Sequence, residues 1–252
     1  LKTMLNYQVI PLKSGQDNYI WLIHDEQNAI VIDPTEAKIV KAYLTKHTLN
    51  LQAILLTHGH ADHIGGVKEL NLSYQPEIID NFKQQLFESQ IIQIGTFPVF
   101  QVMLTPGHTA EHAVYLFDMK HLFCGDVLFS MGCGRVFTND FDSAYASLSK
   151  IKALATFTLC YPAHEYTANN LRFTSALDKT PDYYTQFAKF VLMKLSSLQN
   201  SLPTLLSDEL QYNLFLRCHD PLVWSLVAAA LDEIIDSEFN CFVALRKLRN
   251  NF

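Results

Sequence analysis

The sequence predicts an α/β fold of sandwich type that ends in an all-helical segment. Three observations lead there. Short apolar runs separated by turn residues fill the chain from about Leu5 to Tyr161. Helical spacing replaces them after His164. Several apolar runs end on a histidine or an aspartate, which places polar chemistry along one edge of a layered core.

Element by element, Tyr7 to Leu12, Tyr19 to His24 and Ala29 to Ile32 read as strands, the last stopping at Asp33-Pro34. Ile39, Val40, Tyr43 and Leu44 give 36–45 a helical period. The run 52–56 is a short apolar strand expected to be buried on both faces. A helix is expected over 64–70, then strands at 91–94, 99–104, 113–117 and 121–124. Residues 142–154 read as a helix capped by Asp142 or Ser143, and 158–161 as a further strand. Beyond His164, helices are expected over 165–176, 183–198, 221–232 and 239–249, broken at Thr180-Pro181, Leu202-Pro203 and Asp220-Pro221, with no strand among them. The change of texture puts a boundary between 165 and 180. We place it at 170, giving an α/β sandwich domain (1–170) and a C-terminal helical domain (171–252).

Composition narrows the function. A chain of 252 residues, 49% hydrophobic and 17% charged, is globular and long enough for a real core. A net charge of -6 is a poor footprint for a nucleic-acid partner. The densest apolar run, Leu222 to Leu231, is too short to cross a bilayer, so no membrane partner is expected. The N-terminus shows no signal-peptide pattern, and Met4 is the expected natural start, with Leu1, Lys2 and Thr3 foreign to it. Cys124, Cys133, Cys160, Cys218 and Cys241 are odd in number and scattered, which fits reduced thiols and a cytoplasmic location.

The strongest signal is Thr57-His58-Gly59-His60-Ala61-Asp62-His63, directly after an apolar strand. In extended chain, residues two apart point the same way, so His58 and His60 face one point. Asp62 and His63 approach it from the bend into a helix, and Gly59 and Ala61 let the backbone come close. Imidazole and carboxylate are ligands for zinc and similar ions. The pattern arises by chance on the order of once per thousand such chains, which decides against an ordinary surface histidine run. His108 in a tight turn, Asp126 and His164 each end a further apolar strand, giving five histidines and two aspartates in all. One tetrahedral ion does not need seven ligands; two ions sharing a carboxylate do. We assign His58, His60 and His108 to one ion, Asp62, His63 and His164 to the other, and Asp126 to both, with a water between them. Zinc is the first expectation, and iron and manganese also fit the donor set. His24, His47, His112, His121 and His219 lack ligand spacing, although His112 lies close enough to support a ligand.

These residues resemble the metallo-β-lactamase superfamily, whose signature is H-x-H-x-D-H followed by isolated His, Asp and His. Within it the chain is similar to glyoxalase II, the hydroxyacylglutathione hydrolases. Asp17-Asn18-Tyr19, Pro106-Gly107-His108-Thr109, Gly125-Asp126, Gly132-Cys133-Gly134-Arg135, 162–167 and the closing Arg246-x-x-Arg249-x-x-Phe252 carry that likeness over nearly the whole chain. The resemblance implies an αββα sandwich with a C-terminal all-helical domain. It implies hydrolysis of S-D-lactoylglutathione to D-lactate and glutathione, the second step of methylglyoxal detoxification, by a monomer. It also implies substrate contacts at Arg135, Phe137, Tyr166, Arg246 and Arg249. Phe137 stands where many members have tyrosine, Glu111 where many have glycine and Leu214 where they have proline, and 138–142 departs from the usual E-G-T stretch.

The chemistry follows from the donors. Water held between two divalent ions loses a proton near neutrality, and an ion can polarise the thioester carbonyl. Asp62 and Asp126 are the expected catalytic carboxylates, with no Ser-His-Asp machinery and no nucleophilic role for Cys133. Glutathione carries two carboxylates, so an acidic protein must offer it a local basic pocket, for which Arg135, Arg246 and Arg249 are the candidates. The alternative is another enzyme of a glutathione thiol derivative, a mono-iron persulfide dioxygenase or a broad thioesterase.

Overall fold

The computed structural model describes residues 6–180, 184–197 and 200–252. Met4, Pro181 and both ends of the helix expected over 183–198 lie outside them.

The first sheet runs in chain order: β1 (Gln8–Ser14), β2 (Asn18–His24), β3 (Asn28–Ile32), β4 (Asn50–Leu55) and β5 (Glu77–Ile79). The first three strands pair antiparallel and the last three parallel. The second sheet holds β6 (Ile91–Ile92), β7 (Phe100–Leu104), β8 (Ala113–Phe117) and β9 (His121–Gly125). After a small hairpin, β10 (Leu128–Phe129) with β11 (Gly132–Cys133), it is completed by β12 (Leu159–Pro162) and β13 (Thr204–Leu205).

Strand β2 shows why these residues make a buried layer. Its side chains alternate, and both sets are apolar. Tyr19, Trp21 and Ile23 turn inward against Phe100, Tyr115 and Phe123 of the second sheet. Ile20 and Leu22 turn outward, under Val40 and Leu44 of α1 (Ala37–His47) and Leu70 of α3 (Val67–Tyr74). The outer face of the second sheet, with Leu116, Leu122 and Cys124, is covered by Leu148 and Ile151 of α4 (Phe141–Lys152). The same cluster takes in Val223 of α8 (Pro221–Leu231) and Phe242 and Leu245 of α9 (Glu238–Asn250). The layers are therefore αββα, and the C-terminal helices pack into the core of the second sheet. Each such side chain contributes roughly 1.5–3 kcal/mol by leaving water. Among the described residues no helix is long and apolar enough to cross a membrane.

Three expectations need correction. The helix expected over 64–70 is two pieces, α2 (Ala61–Ile64) and α3. Gly65 and Gly66 separate them because the chain there touches the end of β3: an added Cβ would lie 2.5 Å from the Thr35 carbonyl oxygen at Gly65 and 2.6 Å from that of Pro34 at Gly66. Helix α4 is capped by neither Asp142 nor Ser143 but by Asp140, whose Oδ1 accepts from the Ser143 amide at 3.0 Å. The helical segment is not free of strand, since Thr204–Leu205 pairs with β12. That strand has no apolar period of its own. It is held by the edge of β12 and by Glu209 of α7 (Leu206–Tyr212), which is fully buried. Glu209 accepts from Thr204 Oγ1 at 2.7 Å, the Met131 amide at 2.8 Å and Asn213 Nδ2 at 2.9 Å, joining β13, the β10–β11 turn and the helices. Helix α7, a 3-10 turn at Leu214–Arg217 and strand β5 are additional to the expected elements, while α5 (Thr167–Leu177) and α6 (Thr185–Ser196) fall where helices were expected.

At the far end of the second sheet His121 sits between two phenols. The Tyr7 hydroxyl donates to Asp118 Oδ2 at 2.6 Å and lies 3.1 Å from His121 Nε2, while the Tyr161 hydroxyl lies 2.7 Å from His121 Nδ1. Burial, with Lys120 adding to it and Asp118 opposing it, pushes His121 down to about 4. The folded ring stays neutral where the unfolded one takes a proton. Stability is therefore expected to fall as pH drops from the unfolded value near 6.5 towards 4. Urea unfolding of wild type and His121→Gln at pH 7.5 and 5 checks this, and the variant should lose less stability on acidification.

Candidate metal centre

The seven residues singled out in the sequence meet at one edge of the sandwich, at the carboxyl ends of β4, β7, β9 and β12. His58, His60 and the α2 pair Asp62 and His63 follow β4; His108, Asp126 and His164 follow the other three. His58 Nε2 lies 2.9 Å from His60 Nδ1, and His108 Nε2 lies 3.2 Å from the same atom. Two nitrogens on one tetrahedral ion stand roughly 3.3 Å apart, so these rings are spaced to share an ion. A second group is Asp62, His63 and His164, with His63 Nε2 at 3.8 Å and His164 Nε2 at 3.4 Å from Asp62 Oδ2.

Asp126 stands between the groups. Its Oδ2 faces His108 Nε2 at 3.4 Å, and its Oδ1 faces His63 Nε2 and His164 Nε2, each at 3.5 Å. Asp126 Oδ1 and His63 Nε2 are buried and have no hydrogen-bond partner. Orphaned polar atoms of this kind are costly inside a protein, and a divalent ion would satisfy both. The donor set thus fits divalent ions. Burial alone would raise the Asp126 carboxyl, but His63 and His164 hold it well below the usual carboxylate range. Burial likewise opposes charge on His63, and Asp33 and Asp126 overcome it and raise that ring.

Each ring is oriented from behind. His63 Nδ1 meets Asp33 Oδ2 at 2.9 Å, His164 Nδ1 meets Asp17 Oδ1 at 2.9 Å, and His108 Nδ1 meets the Arg135 carbonyl at 2.8 Å. Partners of this kind fix the tautomer and aim the other nitrogen. Asp33 also accepts from the Thr57 amide at 2.8 Å and from Thr57 Oγ1 at 2.7 Å, which in turn lies 3.1 Å from His58 Nδ1. Asp62 is placed by Thr35 Oγ1, which donates to its backbone carbonyl at 2.6 Å, and by Asn18 Nδ2, 3.3 Å from Oδ2. His112, noted in the sequence for its position, accepts from the Asp126 amide at 3.2 Å and stacks on His58. Asp33, Thr57 and Asp17 carry no motif as supports. The signal available was that Asp33, like Asp126, ends an apolar strand.

The backbone comes very close here. Gly125 has φ +48°, and a Cβ on it would lie 2.6 Å from Thr57 Oγ1 and 2.9 Å from His112 Nε2. A Cβ on Gly134 would lie 1.8 Å from the Asp126 carbonyl oxygen.

A cavity of about 400 Å³ opens over the centre. Arg135, Phe137, Tyr166, Arg246 and Arg249, all singled out in the sequence, line it together with His60, Asp62, His108, Asp126 and His164. Asn170, which the sequence reading did not single out, lines it too. Tyr166 lies flat on His164, with ring centroids 4.7 Å apart. Phe137 is 57% exposed and meets His60 and His108 edge-on. Lys247, between the two C-terminal arginines, points to solvent as its helical position implied.

Residues 165–252 match the family model described as hydroxyacylglutathione hydrolase C-terminus, and residues 15–81 match the metallo-beta-lactamase superfamily. A protein named hydroxyacylglutathione hydrolase from Actinobacillus pleuropneumoniae serotype 3 (strain JL03) is 40% identical over 257 residues, covering 99% of this chain and all of that one. Among solved structures, BLEG-1 B3 metallo-beta-lactamase aligns with TM-score 0.62 at 24% identity, over 84% of this chain and 99% of its own. The di-iron-bound form of TTHA1623 aligns with TM-score 0.53 at 25% identity, over 62% of this chain and 92% of its own.

Gly134→Ala is expected to push Asp126 out of place and weaken metal retention roughly tenfold or more. Metal content per chain after dialysis against a graded chelator measures it, with circular dichroism to verify folding. Full retention would show that Asp126 tolerates the displacement.

Proposed function

The chain belongs to the hydroxyacylglutathione hydrolase family of the metallo-β-lactamase superfamily, and from that premise we propose how its residues open a glutathione thioester with water. It is a metal-dependent thioester hydrolase. The reaction adds water across the bond from acyl carbon to sulfur, giving a carboxylic acid and the free thiol of glutathione. We take S-D-lactoylglutathione, which would yield D-lactate, as its substrate. The observation that carries this reading is a cluster of seven metal-type donors, five of which line one cavity together with three arginines.

In our reading His58, His60 and His108 would hold one ion, Asp62, His63 and His164 would hold a second, and Asp126 would serve both. Zinc suits these donors, and a structural relative holds two irons. Bound there, the ions would supply an activated water and a Lewis-acid contact for the thioester carbonyl. The remaining work belongs to the chain. Asp33 and Asp17 lock the rings of His63 and His164 so that Nε2 faces the centre. Asn18 and Thr35 hold Asp62 at the rim. Burial pushes the Tyr166 phenol well above its usual range, so it remains a hydrogen-bond donor at the cavity wall. Arg135, Arg246 and Arg249 offer guanidinium forks to the glutathione carboxylates. Phe137 gives the substrate a ring face but no hydroxyl. The leaving thiolate is a good leaving group and needs no dedicated acid.

We take the enzyme to act as a monomer. Five free, buried cysteines support a reducing, cytoplasmic setting. Residues 171–252 would form the substrate-binding part, since they supply Arg246 and Arg249.

The test is hydrolysis of S-D-lactoylglutathione by metal-loaded protein beside Asp126→Ala. Loss of thioester absorbance is expected, with kcat/KM at least about a hundredfold lower in the variant. Equal rates in the two proteins would remove Asp126 from the mechanism, and no hydrolysis by metal-loaded wild type would remove the substrate. Arg249→Ala is expected to raise KM more than it lowers kcat, because it removes ground-state binding of the glutathione part.

A further inference from the structure

Two of the cavity's three arginines, Arg246 and Arg249, stand on the last helix of an acidic chain. Arg246 is only 5% exposed, and Arg249 is half-buried beside it. Among the described residues neither guanidinium has a carboxylate within 4.0 Å. Their partners are all neutral. Arg246 donates through Nη1 to the Cys133 carbonyl at 2.7 Å and through Nη2 to Asn250 Oδ1 at 2.6 Å. Arg249 donates through both Nε and Nη2 to Asn170 Oδ1 at 3.2 Å. Arg246 Nε is buried with no partner at all.

Two neighbouring buried cations without a counter-ion are an expensive arrangement for a folded chain. An aspartate at either amide position would make a strong charge-assisted pair and relieve it. The chain instead uses asparagine twice. At position 170 the amide is suited on both sides, since Nδ2 donates to the Ser130 carbonyl at 3.0 Å while Oδ1 accepts from Arg249. At position 250 the side chain is exposed, so nothing in the packing requires an amide rather than a carboxylate.

We propose that Asn170 and Asn250 are positioning residues that fix the Arg249 and Arg246 guanidinium groups through neutral oxygens, leaving both charges uncompensated for the two carboxylates of the glutathione moiety. This rests on the glutathione reading given above. A neutral acceptor sets the direction of the fork without spending its charge, so the full attraction is reserved for the ligand. The arginines are held in place before the ligand arrives, so less side-chain entropy is lost on binding.

Asn250 gives the cleaner test, because its side chain is exposed and holds only Arg246, whereas Asn170 also donates to the Ser130 carbonyl. Glutathione itself is the probe, titrated calorimetrically into wild type, Asn250→Ala and Asn250→Asp at low and at high salt. Asn250→Ala removes the hold and keeps the charge free. Asn250→Asp keeps an oxygen for Arg246 and neutralises it. Asn250→Asp is expected to bind roughly tenfold more weakly than Asn250→Ala at low salt, with the gap closing at high salt. KM for the thioester should rise in the same order, with the loss carried by KM rather than by kcat. A purely structural role predicts the reverse order, because aspartate preserves the acceptor that alanine lacks. Asn250→Asp binding as well as or better than Asn250→Ala therefore overturns the proposal while leaving the substrate reading intact. Wild type that binds no glutathione overturns the substrate reading, and the proposal falls with it.

Discussion

The two oxygens of Asp126 look in opposite directions, and much of the molecule serves to keep them so. A carboxylate this deeply buried is unfavourable on its own, and it persists because imidazoles face it from both sides. That geometry needs β9 to end where it does, Gly125 to turn with a positive φ, and Gly134 to pass against the Asp126 carbonyl. It also needs His112 behind the Asp126 amide. Parallel pairing holds β9 and β12 side by side, which sets the distance between Asp126 and His164.

The histidine cluster and the cavity wall are joined through one residue. The Arg135 carbonyl orients His108, while the Arg135 side chain lines the cavity. The altered stretch that follows is anchored to the same place. Thr138 Oγ1 donates to the Gly107 carbonyl at 2.7 Å, next to His108, and Asp140 caps α4. The departure from the family pattern at 138–142 therefore keeps a mechanical link to a ligand while changing the chemistry at the rim.

What the sequence makes legible follows from where each signal resides. His58, His60, Asp62 and His63 are legible because the ligands are neighbours in the chain and strand geometry aims them together. His108, Asp126 and His164 are legible because each ends an apolar strand. The supports are much harder to see. Asp33 reaches His63 from 30 residues away and Asp17 reaches His164 from 147 away, and no local period encodes such a bond. The same holds for Asn170, whose value lies in meeting Arg249 on the last helix. Strand β13 escapes for a related reason, being made by an edge and by the buried acceptor Glu209 rather than by its own side chains. The layered fold itself is legible because β2 and the 53–55 end of β4 are apolar on both faces and must be covered twice.

The cavity wall is uneven in how tightly it is packed. On the metal side a methyl group added at Gly134 collides with the Asp126 carbonyl and one at Gly125 with Thr57 and His112, so those two positions are closed to larger residues. Phe137 stands on the opposite terms, mostly in solvent, edge-on to His60 and His108 and with the Arg135 guanidinium over its ring. A residue so lightly held can be exchanged over evolutionary time while the ion-binding frame stays as it is. The rim can thus change one side chain at a time above a centre whose close backbone contacts cannot.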